Sequence, residues 1–216
     1  MNRNDEMAQY AAIHTSPEPA LLRELNRDTH LRMLYPQMLS GHYQGRLLAM
    51  LSKLYRPKYI LEVGTYTGYS ALCLAEGLHP GGELHTIEIN REFESRILEW
   101  FGKSDYAHQI HLHIGNAISL VPDLLMKTPF NMIFLDGAKS DYPELYTLLR
   151  SHLTPGAIIV ADNVLWDGKV LPGAAKKPDP DTSGIIEFNR MVADDPGTEQ
   201  VMIPVRDGLS VIRVLA

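Results

Sequence analysis

Beyond residue 57 the apolar positions of this chain change period. Short runs rich in β-branched residues stand at 58–63 (KYILEV), 83–89 (ELHTIEI), 109–114 (QIHLHI), 131–135 (NMIFL) and 157–161 (AIIVA). Runs of this length and composition predict strands. Between them, at 69–78, 91–102, 116–126 and 141–152, apolar residues recur at helical spacing; in the second of these Phe93, Ile97, Trp100 and Phe101 mark one face. Strands alternating with helices predict a parallel sheet covered on both faces. A loop rich in Pro, Gly and Lys follows at 162–180, then a helix near 182–194. The chain closes on two apolar runs, 199–205 and 209–215, around Asp207-Gly208. An Asp-Gly pair in that setting predicts a hairpin, so the last two of seven strands should be antiparallel.

Residues 5–55 read as helical instead. Ser16 followed by Pro17 predicts an N-cap and first turn. Leu21, Leu22, Leu25, Leu31 and Leu34 form one stripe, Pro36 interrupts, and Leu47, Leu48, Leu51 and Leu54 form another until Pro57 ends it. The expected organisation is one α/β domain over 1–216, with helices at 1–56 set beside the ligand edge of a 57–216 core.

Composition narrows the class without changing this picture. The 216 residues are 45% hydrophobic and 21% charged, with a formal net charge of −6. That balance argues against bulk nucleic-acid or anionic-membrane binding. The single cysteine, Cys73, allows no internal disulfide and reads as packed on an apolar helix face. The start is polar, and no run of about 18 apolar residues occurs, so no membrane span is expected and the default compartment is the cytoplasm.

The first strand of the alternating series runs into LEVGTYTGYS, residues 61–70. In open α/β sheets, ligands bind beyond the carboxyl ends of the strands. A phosphate loop needs Gly-Lys-Ser/Thr, but Tyr69 and Ser70 follow Gly68. A dinucleotide fingerprint needs G-x-G-x-x-G, but Gly64 and Gly68 are four apart, and Glu62 would repel a pyrophosphate. A cationic ligand suits better: the acid accepts from an ammonium, and the glycines admit the backbone closely. Glu88, 20 residues beyond Gly68 at the end of the second strand, is placed to accept ribose hydroxyls. S-adenosylmethionine, a nucleoside with an amino-acid tail and no phosphate, satisfies both acids. The plain alternative for either glycine alone is a tight turn.

The fourth and fifth strands end in acids: Asp136 in FLDGAKSDY, Asp162 and Asn163 in IIVADNVLW. Neighbouring parallel strands would bring two carboxylates and an amide oxygen together, which needs a cation between them. Oxygen-only ligands suit a hard ion, Mg²⁺ ahead of Mn²⁺ or Ca²⁺. Taken singly, each acid is as well explained as a cap. Lys139, three residues past Asp136, should have its pKa lowered beside such an ion and could serve as general base. Trp166 is balanced between pocket wall and core, and Tyr66, Tyr69 and Tyr142 carry no assigned role. His111 and His113 share one face of a strand expected at the sheet edge, and no third ligand is near in sequence.

Together LEVGTYTGYS, LDGAK, ADNVLW and the terminal Asp-Gly hairpin resemble the class I, cation-dependent O-methyltransferases, the family of the caffeoyl-CoA and catechol enzymes, over essentially the whole chain. The segment from Tyr10 to Thr29 is similar to that family's N-terminal helices. The resemblance implies a Rossmann-like class I methyltransferase fold with a seven-stranded, mostly parallel sheet. It implies Asp136, Asp162 and Asn163 as metal ligands and Lys139 as general base. It implies that Glu62, Gly64, Thr65 and Ser70 hold the methionine part of S-adenosylmethionine, Glu88 its ribose and Ala117 its adenine. Asp136, and Met38 and Ser40 in PQMLSGHYQG, are implied as further cofactor contacts. The implied acceptor is a catechol-like or hydroxycinnamoyl phenol, and the implied assembly a homodimer. Ala138 departs from the acid of the plant caffeoyl-CoA enzymes; His42, Tyr43 and the loop 172–181 also depart, leaving the acceptor open. A metal-independent methyltransferase, a non-catalytic cofactor-binding module and a nicotinamide-dependent dehydrogenase are the competing readings.

Overall fold

Each strand of the series places alternate side chains on opposite faces, and both faces are apolar. That pattern requires helices above and below. The computed structural model, which describes residues 3–174 and 177–216, has this arrangement. Helices α1 (Arg3–Ile13), α2 (Ala20–Arg32) and α3 (Gly41–Tyr55) come first. Then follow β1 (Tyr59–Val63), α4 (Tyr69–Ala75), β2 (Glu83–Glu88), α5 (Glu94–Gly102), β3 (Ile110–Ile114), α6 (Ala117–Lys127), β4 (Met132–Leu135), α7 (Tyr142–Arg150) and β5 (Ile158–Asp162). Helix α8 (Pro180–Asp194) leads to β6 (Thr198–Ile203) and β7 (Leu209–Val214). The seven strands lie in the order β3-β2-β1-β4-β5-β7-β6. β1 to β5 are parallel, and β7 runs antiparallel to both β5 and β6.

The strand order reverses at β1, whose neighbours are β2 and β4. Ile60, Met132, Phe134 and Val160 point to one face, where Leu22, Leu25, Leu48, Trp100 and Phe101 cover them. Leu61, Val63, Ile133, Leu135 and Ile159 point to the other, beneath Val121, Leu145, Tyr142 and Phe188. Among the described residues no helix is long and apolar enough to cross a membrane.

Several local expectations fail for identifiable reasons. Ser16 and Pro17 do not start a helix; α2 begins at Ala20 after Pro19. A second proline two residues on holds Glu18 extended and delays the helix. Leu31 and Leu34 are 72% and 81% exposed, and Leu54 is exposed as well. The inward stripe of α2 is Leu22, Leu25 and Thr29 instead. The Asp207-Gly208 turn is a five-residue loop, 204–208, closed by the Ile203–Leu209 pair, with Arg206 and Gly208 at positive φ. Cys73 is buried as expected, and burial pushes its thiol up to about 12. His42 holds the α2–α3 region to the preceding linker, its Nε2 lying 2.7 Å from the Ser16 carbonyl oxygen.

The N-terminal helices are joined to the core along the α3–α4 seam. Arg46 forms a bidentate pair with Glu76, which also accepts from Lys53 at 2.6 Å. The Ser52 hydroxyl donates to the Leu74 carbonyl at 2.6 Å. Gly77 is the point of closest approach: a Cβ there would sit 2.2 Å from the Ser52 carbonyl carbon. Gly77→Ala should therefore lower stability by about 1–3 kcal/mol through overpacking. Urea unfolding checks this, and an unshifted midpoint would show that the seam yields.

Candidate active site

Strand β1 ends where the sheet reverses, and the chain must turn sharply away from it. Gly64 has φ +96° and donates its N–H to the Ile87 carbonyl at 3.0 Å, while Asp136 donates its N–H to the Val63 carbonyl at 2.8 Å. A Cβ on Gly64 would lie 2.4 Å from the Asp136 carbonyl oxygen, and one on Gly68 (φ +88°) would lie 2.6 Å from the Phe101 ring. So the close approach that demands this glycine pair is internal. Gly64 lets the ends of β1 and β4 meet, and Gly68 admits a core ring.

Glu62 is fully buried behind the cavity wall, not on it. Its Oε2 accepts from the Thr86 hydroxyl at 2.5 Å, and Thr86 in turn accepts from Thr65, 2.5 Å away. Its Oε1 has no hydrogen-bond partner among the described residues. Burial pushes this carboxyl up to about 8, the Ser70 and Thr86 hydroxyls offset part of that, and the negative Asp136 and Glu88 add to it. An orphaned buried oxygen and a raised pKa fit a carboxylate that can take a cationic partner.

Glu88 is held more completely. Its Oε2 accepts the Tyr66 N–H and its Oε1 the Asn90 N–H, both at 2.8 Å. The two bonds fix the plane of the carboxylate and leave one lone pair on each oxygen for a diol.

Asp136 and Asp162 leave adjacent strands at the same level, one residue beyond the Leu135–Ala161 pair. Asp162 is buried; its Oδ1 accepts the Asn163 N–H at 2.7 Å and its Oδ2 accepts from Gln44 Nε2 at 2.5 Å. Burial and the Asp136 charge raise the Asp162 carboxyl to about 6, against the pull of Lys139, Gln44 and the Asn163 N–H. Asn163 has φ +59°, a conformation asparagine tolerates better than most residues. Two acids and an amide oxygen here suit a hard divalent cation, which would offset both the burial and the Asp136 charge that raise Asp162.

Lys139 is buried beside them, its Nζ 2.9 Å from Asp136 Oδ1 and 3.0 Å from the Tyr142 hydroxyl. The sequence ties a lowered pKa to a divalent ion beside the lysine; with the protein's own groups alone the direction is upward. Burial works to lower it, but the Asp136 charge and the contact with Tyr142 outweigh burial and hold the ammonium above the ordinary lysine value. Tyr142 is also 2.7 Å from the Leu135 carbonyl oxygen and 3.1 Å from that of Asp162.

Most of these groups face one cavity of about 510 Å³; Glu62, Gln44 and Tyr142 do not line it. Met38, Ser40, Gly64, Thr65, Ser70, Glu88, Ala117, Asp136, Lys139, Asp162 and Asn163 line it; of the residues expected at the site only Glu62 does not. Trp166 lines it and also donates its Nε1–H to Thr182 at 3.1 Å, so it is both wall and packing. Sequence reasoning missed Gln44, Tyr142, Phe93 as cavity wall, and Arg206. Arg206 donates to the carbonyls of Gln37, Leu39 and Ser40 and so shapes the cavity rim. Gln44 lies within PQMLSGHYQG, but that stretch pointed to cofactor contacts and not to Asp162; Arg206 sits in no motif, so no sequence signal marked it.

Comparison with known proteins agrees with this geometry. A family model described as O-methyltransferase matches residues 12–215. The chain is 32% identical to a caffeoyl-CoA O-methyltransferase of Mesembryanthemum crystallinum, over 98% of this chain and 87% of that one. It is 33% identical to a catechol O-methyltransferase of Niastella koreensis, over 74% and 72%. The O-methyltransferase TomG from Streptomyces achromogenes, solved in complex with SAM, superposes with a TM-score of 0.89 at 30% identity, covering all of both chains. With the matched residues spanning nearly the whole sequence, the chain belongs to the O-methyltransferase family.

Proposed function

We propose that this protein transfers a methyl group from S-adenosylmethionine to a hydroxyl of a catechol-like or hydroxycinnamoyl-type phenol, with a divalent cation, Mg²⁺ by preference, in the site. The observation that carries the reading is the meeting of Asp136, Asp162 and Asn163 with a buried lysine in the same cavity as the Gly64–Ser70 loop and Glu88. The caffeoyl-CoA and catechol enzymes among the relatives support the acceptor class.

When bound, S-adenosylmethionine supplies an electrophilic methyl group, and the cation supplies charge that acidifies a coordinated hydroxyl. The rest falls to side chains of this chain. Glu88 takes the ribose hydroxyls with the lone pairs its backbone bonds leave free. Glu62 sits beneath the Gly64–Ser70 loop and gives the methionine end a negative floor. Ala117, at the start of α6, lies on the adenine side, and Met38 and Ser40 close the rim. Asp136, Asp162 and Asn163 hold the cation, and Gln44 keeps Asp162 aimed at it. Lys139 receives the hydroxyl proton. With the Asp136 charge engaged by a cation, the largest influence left on Lys139 is burial, which favours the neutral amine. Trp166 walls the cavity and limits water around the acceptor.

Removal of metal with EDTA should abolish labelled methyl transfer to a panel of catechols and hydroxycinnamoyl thioesters, and Mg²⁺ should restore it. Full turnover in metal-free buffer would overturn the role of the cation. Lys139→Ala should reduce turnover by about 10²–10⁴-fold, with S-adenosylmethionine affinity nearly unchanged by calorimetry; wild-type turnover would remove Lys139 as base. Metal affinity should depend on pH through Asp162. Its carboxyl, raised to about 6, must lose a proton before it can ligate. Mg²⁺ binding should therefore weaken by up to about tenfold per pH unit below that value, and a pH-independent Kd between pH 5 and 7 would contradict the assignment.

A further inference from the structure

Three histidines and a glutamate meet across β2 and β3, at positions that do not line the cavity. The β2–β3 register sets His85 against His111 and Ile87 against His113. Parallel pairing and a period of two put Glu83, His85, His111 and His113 on one face. The His85 ring centroid is 4.9 Å from that of His111 and 5.2 Å from that of His113, nearly parallel to the latter at 6°. His85 Nε2 lies 3.3 Å from Glu83 Oε2, and His111 Nε2 lies 3.8 Å from the same oxygen. One donor atom each from Glu83, His85 and His111 falls within 4.8 Å of the others. No such partner for the β3 histidines stands near in sequence; β2 supplies it.

We propose that Glu83, His85 and His111 form a second divalent-metal site, selective for a borderline first-row ion such as Zn²⁺, and that His113 positions His85 within it. Two imidazoles and one carboxylate are a zinc donor set, whereas the oxygen set in the main cavity suits Mg²⁺. Donors at zinc bond lengths in a tetrahedron stand about 3.3–3.5 Å apart, and the two contacts to Glu83 are already close to that. Small rotations of the His85 and His111 rings complete the triangle.

The fourth residue supplies the orientation. His85 Nδ1 is 3.0 Å from His113 Nε2. With the proton on His85 Nδ1 and donated to His113, the His85 Nε2 lone pair faces Glu83 and His111. A histidine ligand normally has its second nitrogen fixed in this way. The Phe130 ring, edge-on to His85 at 5.4 Å, limits its rotation. The side chains of Glu83 and His111 are 46% and 43% exposed, so an ion can enter and water can complete its shell. A bound ion would clamp the edge strand β3 to β2 through residues that do not line the methyl-transfer cavity.

Co²⁺ is the probe, because it absorbs strongly at four- or five-coordinate nitrogen-containing sites and weakly at six-coordinate oxygen sites. Full-length protein would be titrated with Co²⁺ in excess Mg²⁺, which occupies the oxygen site. An intense visible band should saturate at one equivalent in the wild type and in Asp162→Asn. His111→Gln and Glu83→Gln, at half-exposed positions, should lose the band and bind at least about tenfold more weakly. The proposal is overturned by an absent band in the wild type, by a band and isotherm unchanged in His111→Gln and Glu83→Gln, or by loss in Asp162→Asn alone.

Discussion

The site is organised by the repulsion between Asp136 and Asp162, set side by side at the ends of β4 and β5. Parallel pairing fixes their level, so neither can retreat without breaking register. The surrounding groups answer this repulsion. Lys139 pairs with Asp136, and Gln44 and the Asn163 N–H bond to Asp162. Tyr142 anchors Lys139 and reaches backbone oxygens of both strand ends. Even α8 is drawn in: its Asp181 accepts the Ser140 N–H at 3.0 Å, steadying the loop that carries Lys139.

The N-terminal helices and the C-terminal hairpin complete the arrangement from far away in sequence. Gln44 comes from α3, 118 residues from the aspartate it holds. Arg206 comes from the β6–β7 loop and binds carbonyls of the segment 37–40 at the cavity rim. Disturbing the α3–α4 seam would therefore displace Gln44, and with it Asp162, although Arg46, Glu76 and Gly77 do not line the cavity. The helical extension is thus part of the site's second layer.

How legible each part was follows from the range of the interaction that creates it. Strands were legible because burial on both faces leaves unbroken apolar runs, and their acids were legible because each directly follows such a run. Glu88 and Asp162 needed no more than that. Tyr142 and Gln44 were not legible, because their partners are set by tertiary packing, which no local pattern records. The glycine pair was legible as a constraint but not as to its cause, since the ends of β1 and β4 and the Phe101 ring must already be in place before anything crowds it. Leu31 and Leu34 were misassigned because helical spacing gives a stripe but does not say which side meets the core. The direction of the Lys139 shift was legible only as a response to a cation, because the sequence could rank neither burial nor the Asp136 contact at 2.9 Å.

The buried acids also make the ligand-free fold sensitive to pH in a definite direction. Glu62 and Asp162 have folded-state pKa values of about 8 and about 6, both above the ordinary carboxylate range. These two groups therefore hold more protons in the folded than in the unfolded chain from roughly pH 4 upward. The stability these protonated groups contribute is present in acid and is lost as pH rises, through about 6 for Asp162 and about 8 for Glu62. This is opposite to the usual surface carboxylate, whose paired form stabilises the fold as pH rises. A cation beside each acid reverses the balance, because the ionised form then has a partner. Ligands that bring an ammonium near Glu62 and a divalent ion to Asp162 would offset the cost of ionising these buried acids, most at the higher pH where both are ionised.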